Sequence, residues 1–520
     1  MSTIFAPDVV CNNSHLRENR YNHYGSAVRK VASGFSPVIV IERKGKGPLH
    51  KQIYGAFRAA ILGQDLHPGQ KIPSTRSLAS ELRISRIPAL TAYAQLLAEG
   101  YFESRAGSGT FVSSSLPEKL LFVDHQVPEQ AKVISGKRRV SARSQLLPRF
   151  KAAPWLFGWG AFMVGQLAFD DFPFQVWSKL VTRHTRKVRV STLHFSDPMG
   201  SLEFRAAIAE YLRTARGVHC DARQIMIVSG SQQALEISAR VLLDPGDAVW
   251  IEEPAYRLGC QVFAISRCRL IPVPVDEEGL QVSAGLERNR KARAACITPS
   301  HQFPLGVTMS VARRLQLLDW AQRAGSWVIE DDYDSEYRYD SMPIASLQGL
   351  DRHSRVIYIG TFSKTLFPSL RIGYVVIPSD LVDRFLAVRH AMDVYPPHLY
   401  QGVLTDFLRE GHYARHIRRT RMIYHERRNK LVECLQNEFP SGLEVLGVDG
   451  GVHLVAAFPQ IISDREITER AAKEKLWLWP LSPMYLEKPA RRGFVLGFGS
   501  TPVKEIPKAI RHLRSLVSFK

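Results

Sequence analysis

Hydrophobic residues recur with the period of a helix after residue 48. Side chains at this spacing share one face of a helix, and the stripe ends near Gly63. The stripe is formed by Ile53, Phe57, Ala60 and Ile61. It predicts a helix over residues 48–62. Residues 1–45 show no sustained period, and we expect them to form a flexible N-terminal extension.

Two shorter helical patterns follow this first helix. Apolar residues at 78–84 and at 88–99 predict two helices that meet across a short turn. Ser85 is a suitable N-cap for the second of them. Pro88 falls in the first turn of that helix, where the missing N–H would have had no partner. The sequence therefore specifies the turn between the two helices well.

Short apolar runs alternate with helical patterns beyond residue 169. The runs lie at 224–228, 248–251, 294–297, 327–329, 356–359 and 373–377. Strands that alternate with helices predict a mostly parallel sheet with both faces covered. From about residue 400 the pattern changes to long basic helices, which short strands at 451–458 and 494–498 follow. These last elements predict a small C-terminal α/β subdomain.

The chain is long and strongly basic. Its 520 residues exceed what one hydrophobic core holds, so we expect two or three domains. The formal charge is +20, and residues 1–150 hold 21 Lys and Arg against 10 Asp and Glu. This excess favours a polyanionic partner, either nucleic acid or an anionic membrane, although an ordinary basic protein is the alternative. Residues 116–153 lose periodicity and contain several basic residues, which predicts a basic, solvated linker.

The cysteines and the apolar content predict a cytoplasmic protein. The six cysteines lack the spacing of a metal site, so we expect neither disulfides nor zinc. They are Cys11, Cys220, Cys260, Cys268, Cys296 and Cys434. The first thirty residues carry charged groups where a signal peptide is apolar. The uncharged stretch at 152–169 is shorter than a membrane span and is interrupted by Pro and Gly, so no membrane association is expected.

The N-terminal region carries the motif of a DNA-binding fold. Residues 101–105 and 110–112 predict two strands around a Gly-rich tip, the layout of a wing. Residues 73–86 read PSTRSLASELRISR, and residues 98–112 read AEGYFESRAGSGTFV. These segments resemble the GntR-type winged helix-turn-helix, in which the second helix of the motif lies in the DNA major groove. The resemblance implies a DNA-binding domain over residues 46–115.

The same resemblance implies which residues contact double-stranded DNA. They are Arg76, Arg86 and Thr91 in the helices and Arg105, Gly107 and Gly109 in the wing. Arg86 adds a charged group to the positive start of a helix, which suits a phosphate. Ordinary surface charges are the alternative for Arg76 and Arg86. The chain has Ile87-Pro88 where the family has a polar residue and Thr, so the sequence gives no base preference.

A lysine motif follows the predicted strand at 356–359. Residues 360–373 read GTFSKTLFPSLRIG, which places Lys364 between hydroxyl residues and upstream of Arg371. A lysine at the end of a strand, with an arginine to hold a phosphate, is what a Schiff base with a phosphorylated cofactor requires. Taken alone, the motif also fits an ordinary surface lysine.

Carboxylates at the end of a neighbouring strand complete a second motif. Residues 328–334 read VIEDDYD, and Asp331 lies 33 residues before Lys364, enough chain for a crossover that brings the two strand ends together. With this motif the body resembles fold-type I aminotransferases. The resemblance implies pyridoxal 5'-phosphate on Lys364, with Asp331 at the ring nitrogen and Tyr333 at the phenolic oxygen of the ring. Glu330 or Asp332 could be the true partner instead, but neighbouring residues of a strand face opposite ways, so a site that contains Asp331 excludes both of them.

A third motif suits the phosphate of such a cofactor. Residues 228–235 read VSGSQQAL, a strand followed by a turn of small residues and a helix. The N–H groups at a helix start bind anions. The resemblance implies cofactor contacts by Gly230, Ser231, Gln232, Thr361, Ser363 and Arg371. Tyr256, in the EPAY sequence at 253–256, matches the aromatic residue that stacks on the cofactor ring, with a core tyrosine as the alternative.

The resemblance also covers the effector end of the site. Residues 298–306 read TPSHQFPLG where aminotransferases have an Asn-Pro-x-Gly loop, so His301 or Gln302 would bond the ring oxygen. This substitution is typical of MocR-type regulators. Arg492 resembles the arginine that holds a substrate carboxylate through a bidentate fork, and Arg491 competes for that role.

The order of these parts is similar to that of MocR/GabR-type transcriptional regulators. The resemblance implies a homodimer with an aminotransferase-like effector domain over residues 154–520, in which an amino acid or amine exchanges onto the cofactor. Little or no transaminase turnover is expected. A working aminotransferase with an accessory DNA-binding domain is one alternative. A cofactor-free scaffold is another, and the retained Asp331, Tyr333, Lys364 and Arg371 argue against it.

Overall fold

The computed structural model describes residues 39, 41, 47–114, 139–147, 158–188, 194, 196–339, 345–440, 442–459 and 462–517. The chain divides into two compact units, an N-terminal unit of Met1–Arg138 and a C-terminal unit of Arg139–Lys520. Most of the extension predicted at 1–45 and most of the linker predicted at 116–153 lie outside the described residues.

The N-terminal unit packs three helices against a small antiparallel sheet. The helices are α1 (Leu49–Leu62), α2 (Thr75–Glu81) and α3 (Arg86–Ala98), and the strands are β1 (Lys71–Ile72), β2 (Phe102–Arg105) and β3 (Gly109–Val112). Within the described part of this unit, the strand order is β1-β3-β2. Phe57, Tyr93 and Phe102 meet edge to face, with ring centroids 5.2 to 5.6 Å apart. These contacts join α1, α3 and the sheet into one core.

The helix boundaries follow the sequence pattern closely. The predicted first helix is confirmed, because α1 buries the apolar stripe on its inner face. Helix α2 begins and ends about three residues earlier than predicted, since the Ser74 hydroxyl accepts a hydrogen bond from the Ser77 N–H at 3.1 Å and starts the helix there. Ser85 precedes α3 in an extended conformation, but its side chain makes no capping bond.

The C-terminal unit is built on a mostly parallel sheet, as predicted. Its strands are β4 (Ile225–Val228), β5 (Ala248–Glu253), β6 (Arg269–Asp276), β7 (Gly279–Leu280), β8 (Ala294–Ile297), β9 (Trp327–Asp332), β10 (Val356–Thr361) and β11 (Gly373–Val376). The order in the described residues is β4-β11-β10-β9-β8-β5-β6-β7. Strand β11 runs antiparallel to both of its neighbours. The sequence pattern missed β6, because Pro272 and Pro274 interrupt its apolar run.

Helices cover both faces of this sheet. The helices of the C-terminal unit as far as residue 438 are α4 (Ala142–Gln145), which is exposed, α5 (Phe174–Arg186), α6 (Leu202–Arg216), α7 (Ser231–Leu242), α8 (Arg257–Ile265), α9 (Val282–Asn289), α10 (Val311–Ala324), α11 (Leu347–Leu350), α12 (Val382–Asp393), α13 (Leu399–Arg409) and α14 (His412–Glu438). Along β4, Ile225 and Ile227 pack into one apolar cluster, and Met226 and Val228 pack into another. This alternation shows that both faces of the sheet are buried.

A small antiparallel sheet completes the C-terminal unit. Its strands are β12 (Glu444–Leu446), β13 (His453–Phe458), β14 (Trp479–Pro480) and β15 (Arg492–Gly497), and helices α15 (Asp464–Lys473) and α16 (Ile506–Leu516) accompany them. The order in the described residues is β12-β13-β15-β14. The predicted C-terminal α/β subdomain is therefore confirmed. Among the described helices, none combines the length and the apolar content that crossing a membrane requires.

Candidate functional sites

A cavity of about 190 Å³ lies in the C-terminal unit. Strands β9 and β10 are neighbouring parallel strands, and Asp331 near the end of β9 is in register with Ile359 of β10. Lys364 follows the end of β10 by three residues, and both Asp331 and Lys364 line the cavity. The predicted crossover between the two strands thus brings these two residues into one site.

The Asp331 carboxylate is buried without a full set of hydrogen bonds. Its side chain is 6% exposed, and its Oδ1 atom has no hydrogen-bond partner. Burial raises the pKa of the Asp331 carboxyl to about 7, with a further contribution from Asp332 and an opposing one from Lys364. A buried carboxylate oxygen without a donor is unfavourable, so this position suits a ligand that brings an N–H group.

Glu330 and Asp332 flank Asp331 but have their own partners. Glu330 accepts hydrogen bonds from the N–H groups of Leu347 at 2.8 Å and Gln348 at 2.9 Å. Asp332 accepts hydrogen bonds from Arg216 at 2.9 Å and from the Tyr358 hydroxyl at 2.7 Å. Of these three carboxylates, Asp331 is the one that lines the cavity.

The Lys364 amine approaches the backbone of a segment that precedes the sheet. A Cβ atom built on Gly165 would lie 2.6 Å from the Lys364 Nζ, and Gly165 has a φ of +82°. The absence of a side chain at position 165 therefore leaves room for the Lys364 amine. Desolvation in the cavity lowers the pKa of Lys364, while Asp334 and Asp331 oppose this shift. A lysine with a lowered pKa is more easily deprotonated and so becomes a better nucleophile.

Arg371 and Gly230 meet at the start of α7. Gly230 has a φ of +104°, and a Cβ atom built there would lie 3.2 Å from both terminal nitrogens of Arg371. Arg371 itself has a φ of +51°, a left-handed conformation that costs a non-glycine residue about 1 kcal/mol. This backbone conformation directs the Arg371 guanidinium to Gly230, beside the N-terminus of α7. Both groups attract anions.

Four polar side chains from the sequence motifs also line the cavity. They are Ser231, Gln232, Thr361 and Ser363. The Oγ atom of Ser363 and the Nε2 atom of Gln232 are buried and have no hydrogen-bond partner. Unpaired donors near Arg371 and the start of α7 suit a phosphate, whose oxygens accept several hydrogen bonds.

Tyr333 connects the cavity to a buried histidine. Its hydroxyl donates a hydrogen bond to the His301 carbonyl oxygen at 2.9 Å and lies 3.1 Å from the His301 Nδ1. The same Nδ1 is 3.1 Å from Asp334 Oδ2. One ring nitrogen each of His301 and His453 and one carboxylate oxygen of Asp334 lie within 4.8 Å of one another. His301 is therefore placed to orient the Tyr333 hydroxyl.

His301 and Gln302 are not among the described residues that line the cavity. The Gln302 amide donates hydrogen bonds to the carbonyl oxygens of Pro254 and Phe303, each at 2.8 Å, and so holds its own loop together. The His301 Nε2 is buried and has no hydrogen-bond partner. Tyr256 does line the cavity, and its ring meets that of Phe303 edge to face at 5.6 Å.

The helix residues of the N-terminal unit that are expected to contact DNA are exposed. Arg76 on α2, and Arg86 and Thr91 on α3, are exposed. The Arg86 Nε donates a hydrogen bond to Thr75 Oγ1 at 3.2 Å, which fixes the arginine at the start of α3. The Thr91 hydroxyl donates to the Ile87 carbonyl oxygen at 3.0 Å. Ile87 is 71% exposed, so the start of α3 also presents an apolar side chain.

The wing has a tight tip and an arginine that is held on the hairpin. Gly107 has a φ of +75° and Gly109 a φ of +112°, which residues with a side chain rarely adopt. Arg105 forms an ion pair with Glu103 at 2.6 Å and lies over the Phe111 ring, 4.5 Å from its centroid. A phosphate contact by Arg105 would therefore compete with Glu103.

Two family models match the two units of the chain. Residues 49–112 match the model described as bacterial regulatory proteins of the gntR family, and residues 162–495 match aminotransferase class I and II. A probable rhizopine catabolism regulatory protein, MocR, from Rhizobium meliloti is 38% identical over 479 residues, which cover 92% of this chain and 95% of that protein. The chain belongs to the MocR family of transcriptional regulators. Its winged helix-turn-helix is a DNA-binding element, which implies a DNA operator.

Two further relatives of this MocR-family chain are similar over most of its length. The pyridoxine biosynthesis transcriptional regulator PdxR from Corynebacterium glutamicum is 30% identical and covers 86% of this chain and 91% of its own. The α-aminoadipate aminotransferase LysN from Thermus thermophilus, solved in complex with N-(5'-phosphopyridoxyl)-L-leucine, superposes with a TM-score of 0.67. It is 26% identical and covers 72% of this chain and 96% of its own. The C-terminal unit of this MocR-family regulator thus has the fold-type I aminotransferase fold.

Arg492 lies away from the cavity of this MocR-family protein. It pairs with Phe458 at one end of the small sheet, and its Nη1 is 3.5 Å from the Ile462 carbonyl oxygen. His453, which lines the cavity, pairs with Gly497 at the other end of β15. Five residues of strand separate the two ends by about 17 Å. The placement does not support a carboxylate contact by Arg492 beside Lys364.

Arg491 is also outside the set of described residues that line the cavity. Its Nε donates a hydrogen bond to Glu444 at 3.0 Å, so the guanidinium binds strand β12. The structure thus brings together around one cavity the residues that the sequence motifs indicated for a cofactor, but neither arginine that was expected to hold a carboxylate.

Several lining residues of the MocR-family cavity carry no sequence signal. They are Val164, Gly165, Phe303, Val452, His453 and Trp479. They come from four separate segments of the chain, and none belongs to a motif that points to chemistry. Of these residues, only Phe303 lies in a stretch that resembled a functional loop. In that loop the sequence analysis assigned a cofactor contact to His301 or Gln302 and not to Phe303.

Proposed function

We propose that this MocR-family regulator binds pyridoxal 5'-phosphate at Lys364 and uses it to sense a primary amine or an amino acid. The observation that carries the proposal is the pair of Asp331, with its unpaired buried Oδ1, and Lys364 in one cavity. Pyridoxal phosphate supplies an aldehyde that combines reversibly with amines and a ring nitrogen that can be protonated. The phosphopyridoxyl ligand in the similar LysN structure supports this choice of cofactor.

Each part of the cavity has a role in holding that cofactor. The Asp331 carboxylate accepts a hydrogen bond from the protonated ring nitrogen, and this contact relieves its unfavourable burial. Arg371, Gly230 and the N-terminus of α7 hold the phosphate. To donate to the phenolic oxygen of the ring, the Tyr333 hydroxyl would exchange its present hydrogen bond to the His301 carbonyl oxygen for one to the cofactor. The cofactor-contacting residues are Gly230, Ser231, Gln232, Tyr256, Thr361, Ser363 and Arg371, together with Asp331, Tyr333 and Lys364.

Sensing requires that the effector change the protein as well as bind it. Pyridoxal phosphate held at Lys364 would supply an aldehyde for which the effector amine competes with the Lys364 amine, so that effector binding would release the lysine. Lys364 then becomes free to move from its position over Gly165. The effector shifts the regulator between two states only as far as it binds one of them more tightly.

The output of this change is binding to operator DNA. We propose that the regulator acts as a homodimer in the cytoplasm and that its two recognition helices enter the major groove of an operator. The residues proposed to contact DNA are Arg76, Arg86, Thr91, Arg105, Gly107 and Gly109. The exposed arginines at the starts of α2 and α3 support this assignment.

The proposal is tested with purified protein, pyridoxal phosphate and a DNA fragment from the upstream region of its own gene. We expect the wild type to develop the visible absorbance of a lysine-linked cofactor and to change that absorbance, and its DNA affinity, when amines are added. Lys364→Ala should lose both responses and keep its basal DNA affinity. Lys291→Ala, which removes an exposed lysine, is the matched control. A normal absorbance in Lys364→Ala would contradict the proposal.

A working aminotransferase is the second candidate, because the cavity retains Asp331, Tyr333, Lys364 and Arg371 together. Sustained conversion of an amino acid and 2-oxoglutarate by the purified protein would favour this candidate. The regulator proposal predicts that the cofactor responds to its effector while turnover stays negligible.

A further inference from the structure

We propose that the effector of this regulator is a primary amine whose remaining part is uncharged and apolar, rather than an amino acid held through its carboxylate. The inference rests on the proposed function, since it concerns the part of the cavity beside the cofactor. It follows from which face, and which end, of the small sheet meets the cavity.

Strand β15 turns its arginine away from the effector side. Arg492 shares a strand face with Phe494 and Leu496, which pack into the large apolar cluster on that side of the small sheet. Val495 lies on the opposite face and is paired with Trp479, which lines the cavity. The strand face that is directed toward the effector thus carries a valine.

The cavity end of β15 leads to the same result. Building a Cβ atom on Gly497 would place it 2.8 Å from the Val164 Cα, and Val164 lines the cavity. Arg492 is at the opposite end of this strand, about 17 Å away along the backbone. A different rotamer of Arg492 cannot bring the guanidinium to the cavity, because the side chain would have to cover this distance and also reach the opposite face of the strand.

The cationic side chains that line the cavity have other roles. Among the described lining residues, the lysine and arginine side chains are Lys364, at the aldehyde, and Arg371, at Gly230. His453 is also present, but burial and the neighbouring His301 hold its pKa well below its ordinary value. It is therefore neutral near pH 7, and it donates or accepts a hydrogen bond without pairing with a carboxylate charge.

The remaining wall is apolar and aromatic. Val164, Phe303, Val452 and Trp479 line the cavity, and Phe303 lies 6.4 Å from Trp479 and 5.2 Å from His453 between ring centroids. Thr298 also lines it, but its hydroxyl donates to Glu252 at 2.7 Å and accepts from the Phe303 N–H at 3.0 Å. The Trp479 Nε1 on this wall is a buried donor without a partner, so the described wall offers a carboxylate a neutral hydrogen-bond donor but no opposite charge, whereas an apolar group gains from contact with it.

The test compares amines with the amino acids that differ from them only by a carboxylate. Two pairs are used, 2-phenylethylamine with L-phenylalanine and isoamylamine with L-leucine, on cofactor-loaded full-length protein. The half-saturating concentration is read from the visible absorbance, and each value is divided by that for free pyridoxal phosphate in solution. This division removes the intrinsic difference in amine reactivity. We expect each amine to saturate at a concentration at least about tenfold lower than its amino acid.

Two variants separate the proposed wall from a carboxylate contact. Arg492→Ala should leave the ratio between amine and amino acid unchanged, because the guanidinium is remote from the effector. Trp479→Ala should weaken the amines by about fivefold or more, because it removes part of the apolar wall. Retained cofactor absorbance and an unchanged melting temperature show that each variant is folded.

The outcomes distinguish this inference from the function on which it rests. An equal or better response to the amino acids overturns the inference and leaves the proposed function intact. A selective loss of the amino acid response in Arg492→Ala also overturns it and restores Arg492 as a carboxylate contact. If the loaded protein responds to no amine, even hydroxylamine, the proposed function itself fails.

Discussion

The Lys364 amine lies where only a glycine at position 165 leaves room for it, since a Cβ atom on Gly165 would be 2.6 Å from Nζ. Gly165 is nearly 200 residues upstream in the sequence, so no local motif joins the two positions. The amine belongs to the cavity that Asp331 also lines, near the carboxyl ends of β9 and β10.

Gly165→Ala should therefore displace the Lys364 amine. We expect the affinity for pyridoxal phosphate to fall by about tenfold or more, since the new methyl group occupies the place of Nζ. The measurement is a titration of the purified protein with cofactor, followed by visible absorbance. Gly246→Ala is the matched control, because Gly246 also has a positive φ of +99° but no atom within 4 Å of the new Cβ. Equal affinities in the two variants would show that the close approach at position 165 has no role.

Asp331→Asn should change how the stability of the cofactor-free protein depends on pH. In the folded protein the Asp331 pKa is about 7, whereas an unfolded carboxyl has a pKa of about 4. Between these values the folded state keeps a proton that the unfolded state has released. Asp331 therefore destabilises the folded state increasingly as the pH rises from about 4 through 7, by on the order of 4 kcal/mol in total.

The melting temperature measures this effect. Asp331→Asn should gain stability over the wild type as the pH rises from about 5 to 8. Added pyridoxal phosphate should stabilise the wild type more than the variant, because the ring nitrogen needs the carboxylate. Asp244→Asn changes an exposed carboxylate and serves as the control. A pH-independent difference between the variant and the wild type would contradict the assigned shift.

Arg371→Ala should weaken binding of the phosphate without changing the rest of the site. The guanidinium lies against Gly230 at the start of α7, so its loss should reduce the affinity for pyridoxal phosphate by about 10- to 100-fold. Pyridoxal, which lacks the phosphate, is the internal control and should bind the variant and the wild type about equally. A similar loss for both ligands would place Arg371 outside the phosphate contact.

The sequence could bring Asp331 and Lys364 together because their motifs lie at the ends of apolar strands. Runs of apolar residues marked β9 and β10, and the alternatives Glu330 and Asp332 turned out to have hydrogen-bond partners of their own. The carboxyl ends of neighbouring parallel strands meet at one edge, so local sequence was sufficient to pair Asp331 with Lys364.

The position of Arg492 shows what the local sequence does not determine. The apolar run from Phe494 onward suggested a strand that begins after the arginine, but β15 begins at Arg492 itself. The alternation along β15 then places the Arg492 side chain on the same face as Phe494 and Leu496. The pairing with Phe458 places it at one end of the strand. Strand pairing is a long-range property, and the sequence of one strand does not contain it. The same limit hid Gly165, His453 and Trp479.

Arg86→Ala should reduce the salt dependence of DNA binding. If Arg86 contacts one phosphate from the start of α3, the slope of log affinity against log salt concentration should fall by about one. Fluorescence anisotropy with labelled DNA at several salt concentrations gives the slope. Lys51→Ala removes a charge from α1 and is the control. We expect a smaller change for Arg105→Ala, because Glu103 already pairs with that guanidinium.

The covalent role of Lys364 has the most direct test. Protein loaded with pyridoxal phosphate is treated with sodium borohydride, which makes the link to the amine permanent, and its peptides are analysed by mass spectrometry. The account predicts a phosphopyridoxyl group on Lys364. A group on another lysine, or none on a loaded protein, would contradict it.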